Sequence, residues 1–263
     1  MTLRQISSRD NPQYKLLRQL ASSSQVRRKQ AKTLLDGVHL CQAWLQHRGQ
    51  PELCVVGESA SSHPEVSSIL KQCAALGAEC VVFPDALFAA LSQVEQGVAL
   101  LFVVSTPTNK LLASLEQSCV LIDAVQDPGN LGSILRSSAA AGISQVICSE
   151  GSVFAWSPKV LRAGMGAHFQ LDIIEHADLK QLITTSTVPV YATDSHAQKS
   201  IYQMNLTQPC AWLFGNEGQG ISQLLLSCVT ERLTIPQQAG VESLNVAAAA
   251  AVCLFEQKRQ CLM

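Results

Sequence analysis

Hydrophobic and polar residues alternate along the chain in short blocks that predict helices and strands in turn. In the first hundred residues, after a basic amphipathic start, the pattern predicts helices and strands that together form a small α/β domain. The helices are expected at residues 33–47 and 65–76, and the strands at residues 53–56, 80–83 and 98–104. Polar residues and Pro107 at 105–110 then interrupt the apolar pattern and are typical of a linker.

Beyond this linker, apolar strands alternate with helical stretches. Strands are expected at residues 120–123, 145–148, 188–192, 211–214 and 232–235. Alternation of this kind predicts a parallel sheet, because each helix carries the chain back across a face of the sheet. The sequence therefore predicts an α/β protein with one domain at 1–105, a linker at 106–115 and a second domain at 116–263.

Three of these strands are followed by turns rich in glycine and polar residues. The first turn is Asp-Pro-Gly-Asn-Leu-Gly at 127–132, and the helix after it carries Arg136. The second is Gly-Asn-Glu-Gly at 215–218, and the third is Glu-Ser-Leu-Asn-Val at 242–246, before an alanine-rich segment. Ordinary helix capping explains the third turn alone. Three such turns at strand ends indicate a binding or catalytic site.

Taken in this order, the three motifs resemble those of the SpoU (TrmH-like) family of RNA ribose methyltransferases, within the SPOUT class. The resemblance extends from about residue 120 to 255 and includes 157–164 and 166–167, with Ala247 as a mild departure where relatives often carry Ser. It implies a deep trefoil knot in the parallel-sheet domain, with knot loops that form a pocket for S-adenosyl-L-methionine. The implied reaction is methylation of a ribose 2'-hydroxyl in RNA.

The resemblance also implies which residues form the site. The residues expected to take part in catalysis are Arg136, Asn130, Glu217, Ser243 and Asn245. The residues expected around the cofactor are Gly215, Ile235, Leu244, Leu213 and Thr193. Because a guanidinium stays protonated in proteins, we expect Arg136 to bind the phosphate beside the target ribose and to stabilise alkoxide character, rather than to act as a base. Turn and cap chemistry is the alternative role for Asn130 and Glu217.

The N-terminal third is similar to the ribosomal-protein-like substrate-binding domain that precedes the catalytic domain in many rRNA-directed members. The similarity rests on residues 6–12 with Lys15, on Arg27-Arg28 and on residues 36–40, where Asp36 replaces the usual Glu. Through residue 32 there are eight Lys and Arg residues against one Asp, although the whole chain has a net charge of -1. This excess predicts phosphate contacts, and the alternative is a solvated basic helix without a ligand. The residues expected to contact RNA are Arg4, Arg9, Lys15, Arg27 and Arg28.

Composition narrows the class of protein further. A chain with 47% hydrophobic and 15% charged residues can bury a substantial core. No apolar run is long enough for a bilayer and the first ten residues are polar, so we expect a cytoplasmic protein that does not contact membranes. The ten cysteines are dispersed without a Cys-x-x-Cys pair, which favours buried free thiols over disulfides and over a metal site.

Several functions remain open at this point. The substrate is expected to be rRNA, with tRNA as the alternative, and a non-catalytic RNA-binding or ribosome-assembly factor is a further one. The five polar site residues argue against loss of catalysis. A hydrolase triad built on His39, His168 or His196 lacks a Gly-x-Ser-x-Gly elbow. Finally, the resemblance implies a homodimer, and the apolar C-terminal segment through Phe255 exceeds what one core-facing side of a helix needs.

Overall fold

A computed structural model describes residues 3–94, 97–108, 112–238, 240 and 243–262. Contacts between residues divide the chain into two compact units, Met1–Thr108 with Trp156–Phe169, and Asn109–Ala155 with Gln170–Met263. The segment Trp156–Phe169 thus groups with the first unit, although the sequence division put it in the second domain. Part of the expected linker, residues 109–111, lies outside the described residues.

The secondary structure follows an α/β order in both units. The strands are β1 (Arg4–Gln5), β2 (Lys32–Asp36), β3 (Leu53–Gly57), β4 (Glu79–Phe83), β5 (Leu100–Ser105), β6 (Cys119–Ile122), β7 (Gln145–Ser149), β8 (Asp172–Ala177), β9 (Val190–Thr193), β10 (Ala211–Phe214) and β11 (Glu231–Leu233). The α-helices are α1 (Pro12–Ser22), α2 (Ser24–Gln30), α3 (Val38–His47), α4 (Pro64–Ala75), α5 (Asp85–Ala89), α6 (Pro128–Ala141), α7 (Pro158–Gly164), α8 (Leu179–Thr184), α9 (Gln223–Leu226) and α10 (Val246–Cys261).

The first unit is built on a mixed sheet with the order β1-β4-β3-β5-β2. β1, β4 and β3 are parallel, and β5 runs antiparallel to both of its neighbours. Val55 and Val81 share a buried cluster with Leu17 and Leu20 of α1. Because side chains alternate along a strand, their neighbours Cys54 and Cys80 face the other side of the sheet. There they meet the buried residue Cys73 of α4.

The second unit has a six-stranded sheet with the order β11-β9-β10-β6-β7-β8. Every pair of neighbouring strands in it is parallel, which confirms the parallel sheet predicted from the alternation of strands and helices. β10 lies in the middle beside β6, and its residues Trp212 and Phe214 are fully buried. The carboxyl ends of parallel strands lie along one edge of a sheet, where ligands of open α/β folds bind.

Two local predictions differ from the structure. The helix expected at 33–47 begins only at Val38, because residues 32–36 form β2 and pair with β5. Gly37 separates the two elements with a φ of 100°, which glycine adopts readily. The second difference is β8, which the hydrophobic pattern did not indicate. Among the helices of the described chain, none has the length and apolar character that crossing a bilayer requires.

Candidate active site

The first motif joins β6 to α6. Asp127 is the N-cap of α6, and its side chain accepts a hydrogen bond from the Asn130 N–H at 2.9 Å. Before it, Ala124 adopts a left-handed conformation with a φ of 54°. The Ala124 N–H donates to Ser149 Oγ at 3.0 Å, so β7 helps to hold this unusual backbone in place. The local sequence therefore presents Asn130 on the first turn of a capped helix.

The second motif is a tight turn after β10. A Cβ atom at Gly215 would lie 2.3 Å from the carbonyl carbon of Gly220 and 2.3 Å from the Ile221 nitrogen, so only glycine fits there. Asn216 exchanges two backbone hydrogen bonds with Gly220. Its side chain accepts from the N–H groups of Gly218 and of the following residue, and donates to the Ala124 carbonyl at 2.8 Å. Asn216 thus connects the second motif to the first.

The third motif begins α10. Asn245 is the N-cap, and its Oδ1 accepts from the N–H groups of Ala247 and Ala248 at 2.9 and 3.2 Å. Its Nδ2 donates to Asn130 Oδ1 at 2.9 Å, which connects the third motif to the first. Glu242, the first residue of this motif, lies outside the described residues. The side chain of Asn245 therefore both caps α10 and contacts the first motif.

Glu217 completes a hydrogen-bonded network across the three motifs. Its Oε1 accepts from Asn130 Nδ2 and from the Asp127 N–H, both at 3.0 Å, and its Oε2 accepts from the Gln126 N–H at 3.2 Å. Burial by itself raises the pKa of Glu217, but these hydrogen bonds outweigh it and lower the pKa below its usual value. Glu217 is therefore an ionised anchor that fixes the side-chain orientation of Asn130.

Arg136 lies on α6 with its side chain exposed. Within the described part of the chain, no hydrogen bond or ion pair engages its guanidinium. It therefore stands apart from the network of Glu217, Asn130 and Asn245 and remains able to bind an anion from solution.

A cavity of about 690 Å³ lies beside these motifs. It is lined by four of the residues expected around the cofactor, Thr193, Gly215, Ile235 and Leu244, and by three of those expected in catalysis, Glu217, Ser243 and Asn245. Leu213 does not line it, since this fully buried residue belongs to the core cluster of the second unit.

The cavity also has polar lining residues that the sequence analysis did not propose. Asp194 and His196 follow β9, and Arg232 lies on β11. The Asp194 carboxylate lies 3.9 Å from the Arg232 guanidinium and 3.6 Å from His196 Nδ1. The sequence did offer a signal for Asp194 and His196, since they directly follow a predicted strand and the ends of neighbouring parallel strands meet at one edge of a sheet.

The basic residues expected to contact RNA occupy different environments in the first unit. Arg4 forms an ion pair with Glu79 at 2.6 Å, and Lys15 pairs with Asp10 at 2.9 Å. Arg27 is only 6% exposed and donates to the carbonyl oxygens of Leu20 and Ala21 at the end of α1. Arg27 therefore binds the end of α1 in the structure, whereas the other four residues of the set are exposed.

Comparison with known proteins agrees with this arrangement of motifs. The chain is 32% identical to an uncharacterised tRNA/rRNA methyltransferase of Synechocystis sp., over 97% of this chain and 93% of that protein. It is 28% identical to the 23S rRNA (guanosine(2553)-2'-O)-methyltransferase RlmP of Bacillus subtilis, over 96% and 98% of the two chains.

Solved structures agree as well. A protein assigned to the TrmH family of RNA methyltransferases, from Porphyromonas gingivalis, superposes with a TM-score of 0.82 and 30% identity, over 95% of this chain and 98% of that one. The model of the SpoU rRNA Methylase family matches residues 117–255, which contain all three motifs. The family predicted from those motifs is confirmed, and the chain belongs to the SpoU rRNA methylase family.

Proposed function

We propose that this protein transfers the methyl group of S-adenosyl-L-methionine to a ribose 2'-hydroxyl of RNA, and that its substrate is rRNA. Family membership supports the class of reaction. The observation that carries the site is the hydrogen-bonded network in which Glu217 holds Asn130 and Asn130 holds Asn245. It unites the three motifs beside one cavity, as a shared catalytic centre requires.

The cavity fits the proposed methyl donor. Its volume of about 690 Å³ lies within the range of small-molecule sites, roughly 300 to 1,000 Å³. Because Gly215 has no side chain, its backbone packs directly against Gly220 and Ile221, and all three residues line the cavity. Thr193, Gly215, Ile235 and Leu244 would hold the donor, which supplies a methyl group activated for transfer. Asp194 lies on the same wall, where its carboxylate suits a cationic or hydroxyl-bearing part of the donor.

The remaining site residues are proposed to act on the RNA. Arg136 has the planar cationic group that binds a phosphate through paired hydrogen bonds, and its charge stabilises the oxygen that becomes negative during transfer. Asn130 is held rigidly by Glu217, so it orients neighbouring groups without moving. Ser243 lines the cavity and offers a hydroxyl to the ribose or to the donor. This division leaves Arg136 as the exposed cation of the set that incoming RNA can reach.

The first unit is proposed to bind the RNA substrate. Arg4, Arg9, Lys15 and Arg28 are the exposed members of the basic set, and they are the ones we assign to phosphate contacts. The Bacillus relative, matched over almost its whole length, is named as a 23S rRNA enzyme, which supports rRNA. The name of the Synechocystis relative includes tRNA as well, so tRNA is the second candidate.

The proposal extends to assembly and location. Phe255 of α10 is 47% exposed and Leu262 just after the helix is 78% exposed, so symmetric pairing through α10 would cover apolar surface. We propose a homodimer on this ground, whereas the cytoplasmic location and the trefoil knot stay predictions. Light scattering on the wild type and on Phe255→Asp tests the dimer. A monomeric wild type at micromolar concentration that still methylates RNA would contradict it.

The reaction is tested by incubating the protein with labelled S-adenosyl-L-methionine and separate rRNA and tRNA pools, then mapping 2'-O-methyl positions. Arg136→Ala should reduce methyl transfer by about a hundredfold to a thousandfold, the usual cost of losing one charge-stabilising group. Its affinity for S-adenosylhomocysteine, measured by calorimetry, should stay unchanged. Lys180→Ala, which removes an exposed cation on α8, is the matched control and should retain full activity.

Three outcomes of this experiment are informative. Labelling of tRNA alone would show that the substrate is tRNA and not rRNA. Labelling of neither pool by a folded protein that binds the cofactor product would favour a non-catalytic RNA-binding role. Loss of calorimetric binding in Arg136→Ala would contradict the assignment of this residue to the RNA.

A further inference from the structure

Three buried cysteines meet on one face of the sheet in the first unit. Cys54 of β3 and Cys80 of β4 are register partners on adjacent parallel strands, so their side chains project side by side. Cys73 comes from α4, which packs over the same face. Cys54 and Cys73 are fully buried and Cys80 is 7% exposed. These residues are distant in sequence, and only the fold brings their thiols together.

The geometry of the three sulfur atoms suits a small, three-coordinate metal ion. All three Sγ atoms lie within 4.8 Å of one another. With metal–sulfur bonds of about 2.3 Å, the sulfurs of a trigonal site are about 4 Å apart, since the metal lies at the centre of the triangle. A contraction of at most about 0.8 Å therefore converts this arrangement into a coordination site.

The three thiols also contact one another directly. The Cys80 thiol is in hydrogen-bond contact with both Cys54 and Cys73, so the three thiols form one contiguous cluster. Cys80 is the one residue of the three with measurable exposure, and its thiol donates to the Ala78 carbonyl at 3.6 Å.

The ligand set and the charge select the ion. Structural zinc takes four protein ligands, and the described residues supply only three His, Cys, Asp or Glu ligands to this group. Cys41 lies on α3 outside the group, and its thiol donates to the Leu35 carbonyl at 3.5 Å. Soft sulfur ligands select monovalent copper, and its single charge costs less to bury in an apolar interior than the double charge of zinc.

We propose that Cys54, Cys73 and Cys80 form a three-coordinate site for Cu(I) in the first unit, separate from the methyltransferase motifs. Binding there ties β3, β4 and α4 together. Because the ion would bind the folded chain and find no preformed site in the unfolded one, occupancy stabilises the fold by mass action.

The test uses the full-length chain under anaerobic conditions, with Cys228 and Cys261 replaced by Ser in every sample, because these are the thiols that are not buried. Cu(I) is supplied in competition with a chromophoric chelator. We expect one ion per chain, three sulfur neighbours in the X-ray absorption spectrum, and a higher thermal midpoint. Cys73→Ala should weaken binding by about a hundredfold or more, since changes even to groups that only support a ligand cost 10- to 100-fold.

Cys41→Ala is the matched control, because it removes an equally buried cysteine next to the same face without touching the group of three. It should keep the stoichiometry and the spectrum. If Cys54→Ala, Cys73→Ala and Cys80→Ala all bound Cu(I) as tightly as the wild type, the proposal would be overturned. Should an alanine variant fail to fold, the wild-type spectrum still decides, since two sulfur neighbours instead of three, or no bound ion at all, would refute the site.

Discussion

Replacing Gly215 with Ala tests whether the close backbone crossing in the second motif shapes the cavity proposed for the cofactor. The added Cβ would lie 2.3 Å from two backbone atoms of Gly220 and Ile221, a separation that no flexible side chain can relieve. Adding one methyl group to a packed site costs about 1 to 3 kcal/mol, and the rigidity of this contact places the expected loss at about 3 kcal/mol. Gly220 and Ile221 line the cavity, so their displacement should also weaken binding of S-adenosylhomocysteine. A loss of at least tenfold, about 1.4 kcal/mol, is expected.

Gly218→Ala provides the matched control in the same turn. Its Cβ would meet only the Asn216 side-chain oxygen, at 3.7 Å, which is an ordinary contact. We expect its stability to stay within about 0.5 kcal/mol of the wild type. Urea unfolding and calorimetric titration on the wild type and both variants measure these effects. Equal stability and equal cofactor-product affinity for Gly215→Ala and Gly218→Ala would refute the reasoning.

Three further predictions follow from contacts in the two units. Because hydrogen bonds lower the folded-state pKa of Glu217, its stabilising effect is present above its unfolded pKa of about 4.3 and is lost as pH falls through the folded value. Urea unfolding should therefore show that Glu217→Gln is less stable than the wild type at pH 7, and the difference should vanish in acid. Arg27→Ala should lower the free energy of unfolding by about 2 kcal/mol, since charged hydrogen bonds are lost. Arg9→Ala should leave stability unchanged and reduce the salt dependence of RNA binding. Loss of stability in Arg9→Ala but not in Arg27→Ala would contradict the buried position of Arg27 and the exposed position of Arg9. Trp44→Ala should lower the free energy of unfolding by about 3 kcal/mol, because the rings of Trp44 and Phe169 pack edge-on with centroids 5.3 Å apart. An unchanged midpoint of thermal unfolding would show that this contact does not stabilise the segment Trp156–Phe169.

The second sheet was largely predictable because most of its strands are short apolar runs bounded by Pro, Gly or polar residues. β8 was missed since Asp172, Glu175 and His176 break its apolar pattern. β2 was merged with the following helix because its pairing with β5 joins residues about seventy positions apart. Hydrophobic periodicity carries no information about such distant partners, and it made one helix of Leu34, Leu35 and the apolar residues after Gly37.

The site was predictable at the level of motifs but not of contacts. Glu217 and Asn130 are 87 residues apart, and Asn130 and Asn245 are 115 residues apart, so local pattern could not show that their side chains meet. Arg27 was grouped with the RNA-binding residues because charge counting does not distinguish a buried cation from an exposed one. The buried cysteine group was missed for a similar reason, since metal-site spacing rules look for ligands that are close in sequence.

The grouping of Trp156–Phe169 with the first unit affects how the protein is made. Thr33 Oγ1 donates to the Trp156 carbonyl at 2.8 Å, and His39 Nε2 lies 3.4 Å from the Met165 carbonyl oxygen, so early residues depend on late ones. During synthesis the first unit can form all of these contacts only after residue 169 has left the ribosome, by which time β6, α6 and β7 of the second unit have already been made. The first unit is therefore completed after synthesis of the second has begun but before its middle strand β10 is made, and cleavage after residue 108 would leave part of the first unit attached to the second.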